Sequence, residues 1–101
     1  MDPLEEFLAQ AEQEQQRIKD AQSALERLEV TGRSRSNVVT AKLRGSGQLT
    51  EITIDPRQMS RYDAKALGGL VVEAVNDAGV RLAEASREMF APFIAQAEAA
   101  L

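Results

Sequence analysis

The side chains with the clearest potential for chemistry are the basic residues in the middle of the chain. Residues 17–44 hold seven lysines and arginines against three acidic residues, a local charge of +4 in a chain of net charge −4. Within this stretch, Arg33-Ser34-Arg35-Ser36-Asn37 interleaves two guanidinium groups with hydroxyl and amide donors. Such donors bind phosphate groups, and a local basic patch can do so even on an acidic molecule. We therefore interpret Arg33 and Arg35 as phosphate contacts.

Lys42 and Arg44 extend the basic stretch at a spacing of two residues, which places both on one face of a strand. They are further candidates for phosphate binding. The alternative is that they pair with Glu51 and Asp55 across the polar face of a hairpin. Both interpretations stay open from the sequence alone. A second basic group consists of Arg57, Arg61 and Lys65, and it is weaker because Asp55 and Asp63 neutralise part of its charge.

The pattern of polar residues does not indicate catalysis, and we expect no metal and no cofactor. The chain has no cysteine and no histidine, which removes thiolate chemistry, the most common general base and the most common metal ligand. Acidic pairs such as Glu84 and Glu88 are typical of solvated helix faces. The Gly45-Ser46-Gly47 turn lacks the Lys-Ser/Thr pair and the following helix of a phosphate-binding loop. We therefore predict that the protein is not an enzyme and has no catalytic residues.

A long N-terminal helix is predicted over residues 3–28. Apolar side chains recur along it at alternating spacings of three and four, and Glu14 is the one exception in eight positions. Asp2 followed by Pro3 is a typical helix start, because Asp caps the first turn and proline fits the first helical position. Glu14 in the apolar seam has two interpretations, a buried charge that selects a partner or light packing of the helix at that point, and we favour light packing.

Three strands are predicted over residues 29–35, 37–44 and 48–55. Apolar and polar residues alternate through the last two, and the Gly45-Ser46-Gly47 turn joins them as a hairpin. Pro56 ends the sheet, because proline cannot donate to the hydrogen-bond ladder. The larger side chains expected on the buried face, in the core or the dimer, are Val39, Leu43, Ile52 and Ile54.

A second long helix is predicted over residues 63–90, and Pro92 indicates that the helix ends or kinks there. A frayed tail is predicted over residues 95–101. The apolar stripe of the helix is assigned to the core or to a dimer contact. Asn76-Asp77 lies in mid-helix, where both residue types are poor helix formers, so we expect a compensating bond to a loop or a register-setting contact. The residues assigned to this stripe and contact are Leu67, Val71, Val75 and Asn76.

Three glycines lie within the second helix. We expect Gly68, Gly69 and Gly79 to permit close approach of this helix to the sheet or to a partner, because glycine is otherwise unfavourable in a helix.

This order of elements predicts an α+β fold in one domain, residues 1–101, with a small three-stranded antiparallel sheet between two long helices. A helix of ~27 residues is roughly 40 Å long, whereas a strand of eight residues spans about 25 Å. One small sheet therefore leaves its edges and much of both helices uncovered, which predicts a homodimer. The N-terminus is acidic and no apolar run reaches the ~18 residues of a membrane span, so we expect a cytoplasmic protein.

Three segments, each a weak signal alone, together carry a family resemblance. They are Leu28-Glu29-Val30-Thr31-Gly32, the hairpin end Ile52-Thr53-Ile54-Asp55-Pro56, and Leu67-x-x-Leu70-Val71-x-x-Ala74-x-Asn76-Asp77-Ala78. In this order and spacing the chain resembles the YbaB/EbfC family of bacterial nucleoid-associated proteins. The resemblance implies a homodimer joined through the sheets, helical arms resembling tweezers, and binding of duplex DNA with little or variable sequence preference.

We therefore expect a nucleoid-associated protein that binds DNA mainly through backbone phosphates and organises the nucleoid or modulates transcription. The alternative is a homodimeric interaction module, an adaptor or secretion-associated protein, whose helices dock a protein partner without binding DNA. Residues 1–16 hold five acidic residues and no basic one, which argues against DNA contact by that part of the first helix. The predicted DNA contacts are Arg33, Arg35, Lys42, Arg44, Arg57 and Arg61.

Overall fold

The computed structural model describes residues 2–100 and has the predicted α+β architecture. Three antiparallel strands form one sheet in the order β1-β2-β3. Along the chain, a long helix precedes the sheet and another follows it. The elements are α1 Pro3–Arg27, β1 Glu29–Arg33, β2 Val39–Arg44, β3 Leu49–Ile54, α2 Pro56–Met59 and α3 Ala64–Ala100.

Helix α1 begins as its sequence predicts. The Leu4 amide donates to the Asp2 carboxylate at 3.1 Å, and Pro3 occupies the first helical position. The helix has no fully buried residue. Leu28 is extended and leads directly into the sheet, so α1 projects as an arm.

The sheet is shorter at one end than the sequence predicts. Strand β1 stops at Arg33 instead of residue 35, and β2 starts at Val39 instead of 37. Between them a short 3₁₀ turn places Ser36 and Asn37 at φ of 56° and 54°, in the left-handed region that a strand does not use. The apolar alternation alone did not reveal this turn.

The face of the sheet toward α3 forms the core. Gly32 pairs with Ala41 in register, and a Cβ at Gly32 would overlap the backbone of Ala74 and Ala78 in α3. The absence of a side chain here lets α3 lie directly on β1. The buried apolar residues are Val38, Val39, Ala41, Leu43, Leu70, Ala74 and Ala78. The predicted apolar residues Ile52, Ile54, Leu67, Val71 and Val75 pack against this core and are half-buried.

For two predictions about α3, the structure excludes one of the two expected roles. Asn76 does not lie in the core of the chain and is exposed, because two residues after the buried Ala74 the helix has turned by about 200°. Gly68, Gly69 and Gly79 do not serve approach to the sheet, since a Cβ at each would meet no atom within 4 Å. A contact of these residues with a partner stays a prediction.

Helix α3 also continues past residue 90 to Ala100, so residues 95–100 of the predicted tail are helical in the structure, and residue 101 lies outside the described residues. Pro92 lies inside the helix, where it removes one amide donor. The segment is rich in alanine, the strongest helix former, which favours continuation on both sides of the proline.

The far end of α3 contacts α1. The Arg17 guanidinium lies 5.4 Å from the centre of the Phe93 ring, and the side-chain amide of Gln96 donates to the Glu14 carboxylate at 3.4 Å. Glu14 is half-buried there, in the light packing that the sequence indicated. The molecule is 71 Å long and 23 Å wide. Within residues 2–100 no helix has the length and apolar character needed to cross a membrane.

Candidate nucleic-acid interface

Hydrogen bonds between Ser34 and Val39 close the turn between β1 and β2. Ser34 is buried, its amide donates to the Val39 carbonyl at 2.9 Å, and its hydroxyl accepts from the Val39 amide at 2.9 Å. Ser34 is therefore not available as a phosphate donor, contrary to the sequence interpretation. Arg35, Ser36 and Asn37 are exposed at the tip of the turn.

Arg35 forms a two-pronged ion pair with Glu73 of α3. Its Nη2 donates to Glu73 Oε2 at 2.8 Å and its Nε donates to the same oxygen at 3.0 Å. The Arg35 amide also donates to Glu73 Oε1 at 3.1 Å. The arginine side chain is nevertheless 76% exposed. One carboxylate thus binds both the backbone and the side chain of a predicted DNA contact.

Asp77, one turn further along α3, makes a similar contact with the last residue of β1. Its Oδ2 accepts the Arg33 amide at 2.8 Å and the Arg81 Nε at 3.0 Å. The Asn76-Asp77 pair predicted a compensating side-chain bond to a loop, and the bond that Asp77 makes is to the last residue of a strand. The Arg33 side chain, on the sheet face away from α3, has no ion-pair partner among residues 2–100.

The pKa values of these groups follow from the contacts. The Arg35 side chain and amide hold the pKa of Glu73 below its ordinary value, and the pKa of Arg35 is raised in turn. The Arg33 amide, followed by the Arg81 side chain, lowers the pKa of Asp77. Both carboxylates are therefore anions near neutral pH.

Lys42 pairs across the sheet, as one of the two sequence interpretations predicted. Its Nζ lies 3.1 Å from Glu51 and 3.9 Å from Glu29, and hydrogen bonding to Glu51 raises its pKa. Arg44 is exposed and does not pair with Asp55. Lys42 and Arg44 remain on the open sheet face, where Glu29 and Glu51 offset much of their charge.

Asp55 has a different role, as the cap of α2. It accepts the Arg57 amide at 2.9 Å and the Gln58 side chain at 3.1 Å, and these bonds lower its pKa. Gln58 also donates to the Ser36 carbonyl at 3.2 Å, which ties α2 to the turn that carries Arg35. Arg57 and Arg61 both act electrostatically on Asp55 and are exposed.

The fold therefore divides the predicted contacts into two groups. Four arginines lie at the end of the sheet and are called the sheet-end cluster below. They come from β1, the following turn, α2 and the second residue after α2. They are Arg33, Arg35, Arg57 and Arg61. Lys42 and Arg44 form a separate pair on the open sheet face.

Sequence reasoning missed Glu73 and Arg81. A signal was present: Glu73, Asp77 and Arg81 recur every four residues and so share one face of α3. Arg81 pairs with Asp77 within the helix, but the partners of Glu73 and Asp77 lie 38 and 44 positions earlier, and only the packing of α3 on the sheet brings these groups together. Periodicity within one helix could not identify such distant partners.

The fold and the sheet-end cluster define a small α+β protein with four exposed arginines at one end of its sheet. The sequence model of the YbaB/EbfC DNA-binding family matches residues 1–97, and the chain belongs to this family. It is a family of DNA-binding proteins and not of enzymes.

Similar proteins agree with this assignment. The chain is 34% identical over 89 residues to a protein of Rhodococcus opacus named nucleoid-associated protein, covering 88% of this chain and 79% of the relative. It is 36% identical over 86 residues to a protein of the same name from Mycolicibacterium vanbaalenii, with coverages of 85% and 78%.

The fold is also found in a crystal structure of an uncharacterized Helicobacter pylori protein. The two structures superpose with a TM-score of 0.59 at 18% identity, over 78% of this chain and 92% of the other. This similarity supports the architecture of the chain.

Proposed function

We propose that this protein is a nucleoid-associated protein of the bacterial cytoplasm that binds duplex DNA mainly through backbone phosphates. Binding would show little sequence preference and would organise the nucleoid or modulate transcription. The family and the names of the relatives support DNA as the ligand. The exposed sheet-end cluster supports the phosphate mode, because surface arginines neutralise backbone phosphates whatever the base sequence.

The observation that carries the proposal is the exposure of the sheet-end cluster on an acidic chain. Arg33, Arg57 and Arg61 have no carboxylate partner among residues 2–100, whereas Lys42 has two. A phosphate can therefore approach the first three without displacing a bound acid. We rank this cluster above Lys42 and Arg44 as the DNA contact.

We further propose that the functional unit is a homodimer joined through the sheets. Strands β1 and β3 each have one unpaired edge, and α3 packs mainly over β1 and β2. Ile52 and Ile54 are consequently half-buried, and Leu49 is 43% exposed. A second copy covering this region would bury those side chains and bring a second sheet-end cluster to the DNA. Sedimentation equilibrium should give about twice the chain mass of 11.0 kDa, and a monomer at micromolar concentration would contradict the dimer.

Fluorescence anisotropy with two unrelated duplexes tests the DNA proposal. Each phosphate contact contributes about −0.9 to the slope of log affinity against log salt, and we expect roughly two to six contacts. Similar affinities and slopes for both duplexes would support the proposal. A strong preference for one duplex would contradict phosphate binding as the main mode.

The arm supports a second candidate function, the docking of a protein partner. Leu4, Phe7 and Leu8 are 62%, 66% and 52% exposed on an acidic helix that is unsuited to DNA. If the protein does not bind DNA at about 50 mM salt, where phosphate contacts are strong, this candidate replaces the first.

A further inference from the structure

Glu73 occupies the position at Arg35 that a DNA phosphate would otherwise take. Its two oxygens accept three bonds from the guanidinium group, at 2.8, 3.0 and 3.3 Å. A phosphodiester presents the same feature, two anionic oxygens that accept from the fork of an arginine. The carboxylate of Glu73 thus imitates the ligand within the free protein.

We propose that Glu73 competes with DNA for Arg35 and so holds the affinity of the protein below the value that its arginines would otherwise give. This inference rests on the proposed DNA-binding function. DNA would draw Arg35 away from Glu73, and removal of the carboxylate charge would release the arginine for a phosphate.

Anchoring of the turn does not require this ion pair. The Arg33 amide binds Asp77, and Ser34 exchanges two bonds with Val39, so the turn is fixed at both ends without Glu73. In addition, Glu73 accepts a hydrogen bond from the Arg35 amide. This bond needs an acceptor oxygen but not a negative charge on it. The charge on Glu73 therefore acts mainly on the guanidinium group, which is 76% exposed and accessible to a competing anion.

The test compares Glu73→Gln with a control variant, Glu88→Gln. Glutamine at position 73 keeps one acceptor oxygen for the Arg35 amide and removes the charge. Glu88 is an exposed acid on the same helix and has no ion pair among residues 2–100. We expect Glu73→Gln to bind a mixed-sequence duplex roughly twofold to fivefold more tightly than Glu88→Gln, as loss of an exposed ion pair allows. The salt slope should become steeper by up to about 0.9 per site.

The double variant Arg35→Ala with Glu73→Gln identifies the route of the effect. If Glu73 acts through Arg35, the gain disappears when Arg35 is absent. A gain that persists, or one that Glu88→Gln reproduces, would overturn the inference and leave only a general charge effect. Weaker binding by Glu73→Gln would also overturn it, because Glu73 would then position Arg35 for DNA.

A measurement on the unmodified protein covers the case in which Glu73→Gln does not fold. The ¹⁵N NMR signal of Arg35 Nε should shift when a short duplex saturates the protein, since its acceptor changes. An unmoved Arg35 signal at saturation would contradict the competition while leaving DNA binding established. If the parent protein shows no binding at about 50 mM salt, the proposed function fails and the competition fails with it.

Discussion

Two regions of the molecule differ in both packing and charge. The body, residues 29–82, consists of the sheet and the α3 segment that lies above it. The arm consists of α1 and the end of α3. The body contains every fully buried apolar residue of the described chain, and its contacts join positions about 40 residues apart. The arm has no fully buried residue in α1 and depends on a few contacts such as Arg17 on Phe93. Stability is therefore concentrated in the body.

Charge follows the same division. The first 16 residues hold five acids and no base, whereas the sheet-end cluster adds four arginines to the body. A polyanion is attracted to one region and repelled by the other. The arm can thus vary with little cost to the fold, while changes in the body affect folding and ligand binding together.

The largest effect among these predictions should come from Gly32, where α3 lies directly on β1 in the body. In Gly32→Val the new side chain would overlap the backbone of Ala74 and Ala78, which cannot move without lifting α3 from the sheet. We expect a loss of at least about 3 kcal/mol in unfolding free energy, measured by urea denaturation.

The matched control is Gly68→Ala in α3, where a Cβ meets no atom within 4 Å. It should raise the unfolding free energy by up to about 1 kcal/mol, because alanine is the better helix former. Equal effects of the two substitutions would remove the distinction between a packed and an open glycine.

The next effect concerns DNA. Replacing Arg33 and Arg35 together by alanine should lower affinity at least about tenfold near 50 mM salt and flatten the salt slope, equally for unrelated duplexes. A control in the arm, Lys19→Ala with Arg87→Ala, removes the same charge from exposed positions. If both double variants lose the same affinity, net charge and not the sheet-end cluster governs binding.

A smaller effect should appear in the dependence of stability on pH. The pKa values of Glu73 and Asp77 are lowered in the folded state, so their contribution is present above the unfolded values and is lost as pH falls through the folded ones. We expect Tm to decline below about pH 5. The double variant Glu73→Gln with Asp77→Asn should have a lower Tm at pH 7 and a shallower decline. An unchanged profile would show that these contacts contribute nothing to stability.

The body and the arm also differ in how far the sequence predicts them. Local patterns located both long helices, the hairpin and the buried face of β2, because periodicity and capping act within a few residues. They did not reveal the turn at Ser36 or the exposure of Asn76, which depend on how β1 and α3 meet. They also selected glycines in α3 for close approach to the sheet, whereas the glycine that lies against α3 is Gly32, in β1.

The candidate site divides in the same way. Composition identified the arginines, since charge is visible in sequence, but not which of them are already paired. Glu73 and Arg35 are 38 residues apart, and no local signal connects them. Lys42 and Glu51, by contrast, belong to one hairpin, and their pairing was one of the two interpretations that the sequence left open.

The smallest effect should come from the arm. Phe7 is a large apolar residue in the predicted seam of α1 but is 66% exposed, so its ring gains little from folding of the single chain. We expect Phe7→Ala to change the unfolding free energy by less than about 0.5 kcal/mol and to leave DNA affinity unchanged. Urea denaturation and anisotropy measure both. A loss of about 2 kcal/mol would mean that Phe7 is buried in solution against another molecule, and the arm would then belong to an interface as tightly packed as the body.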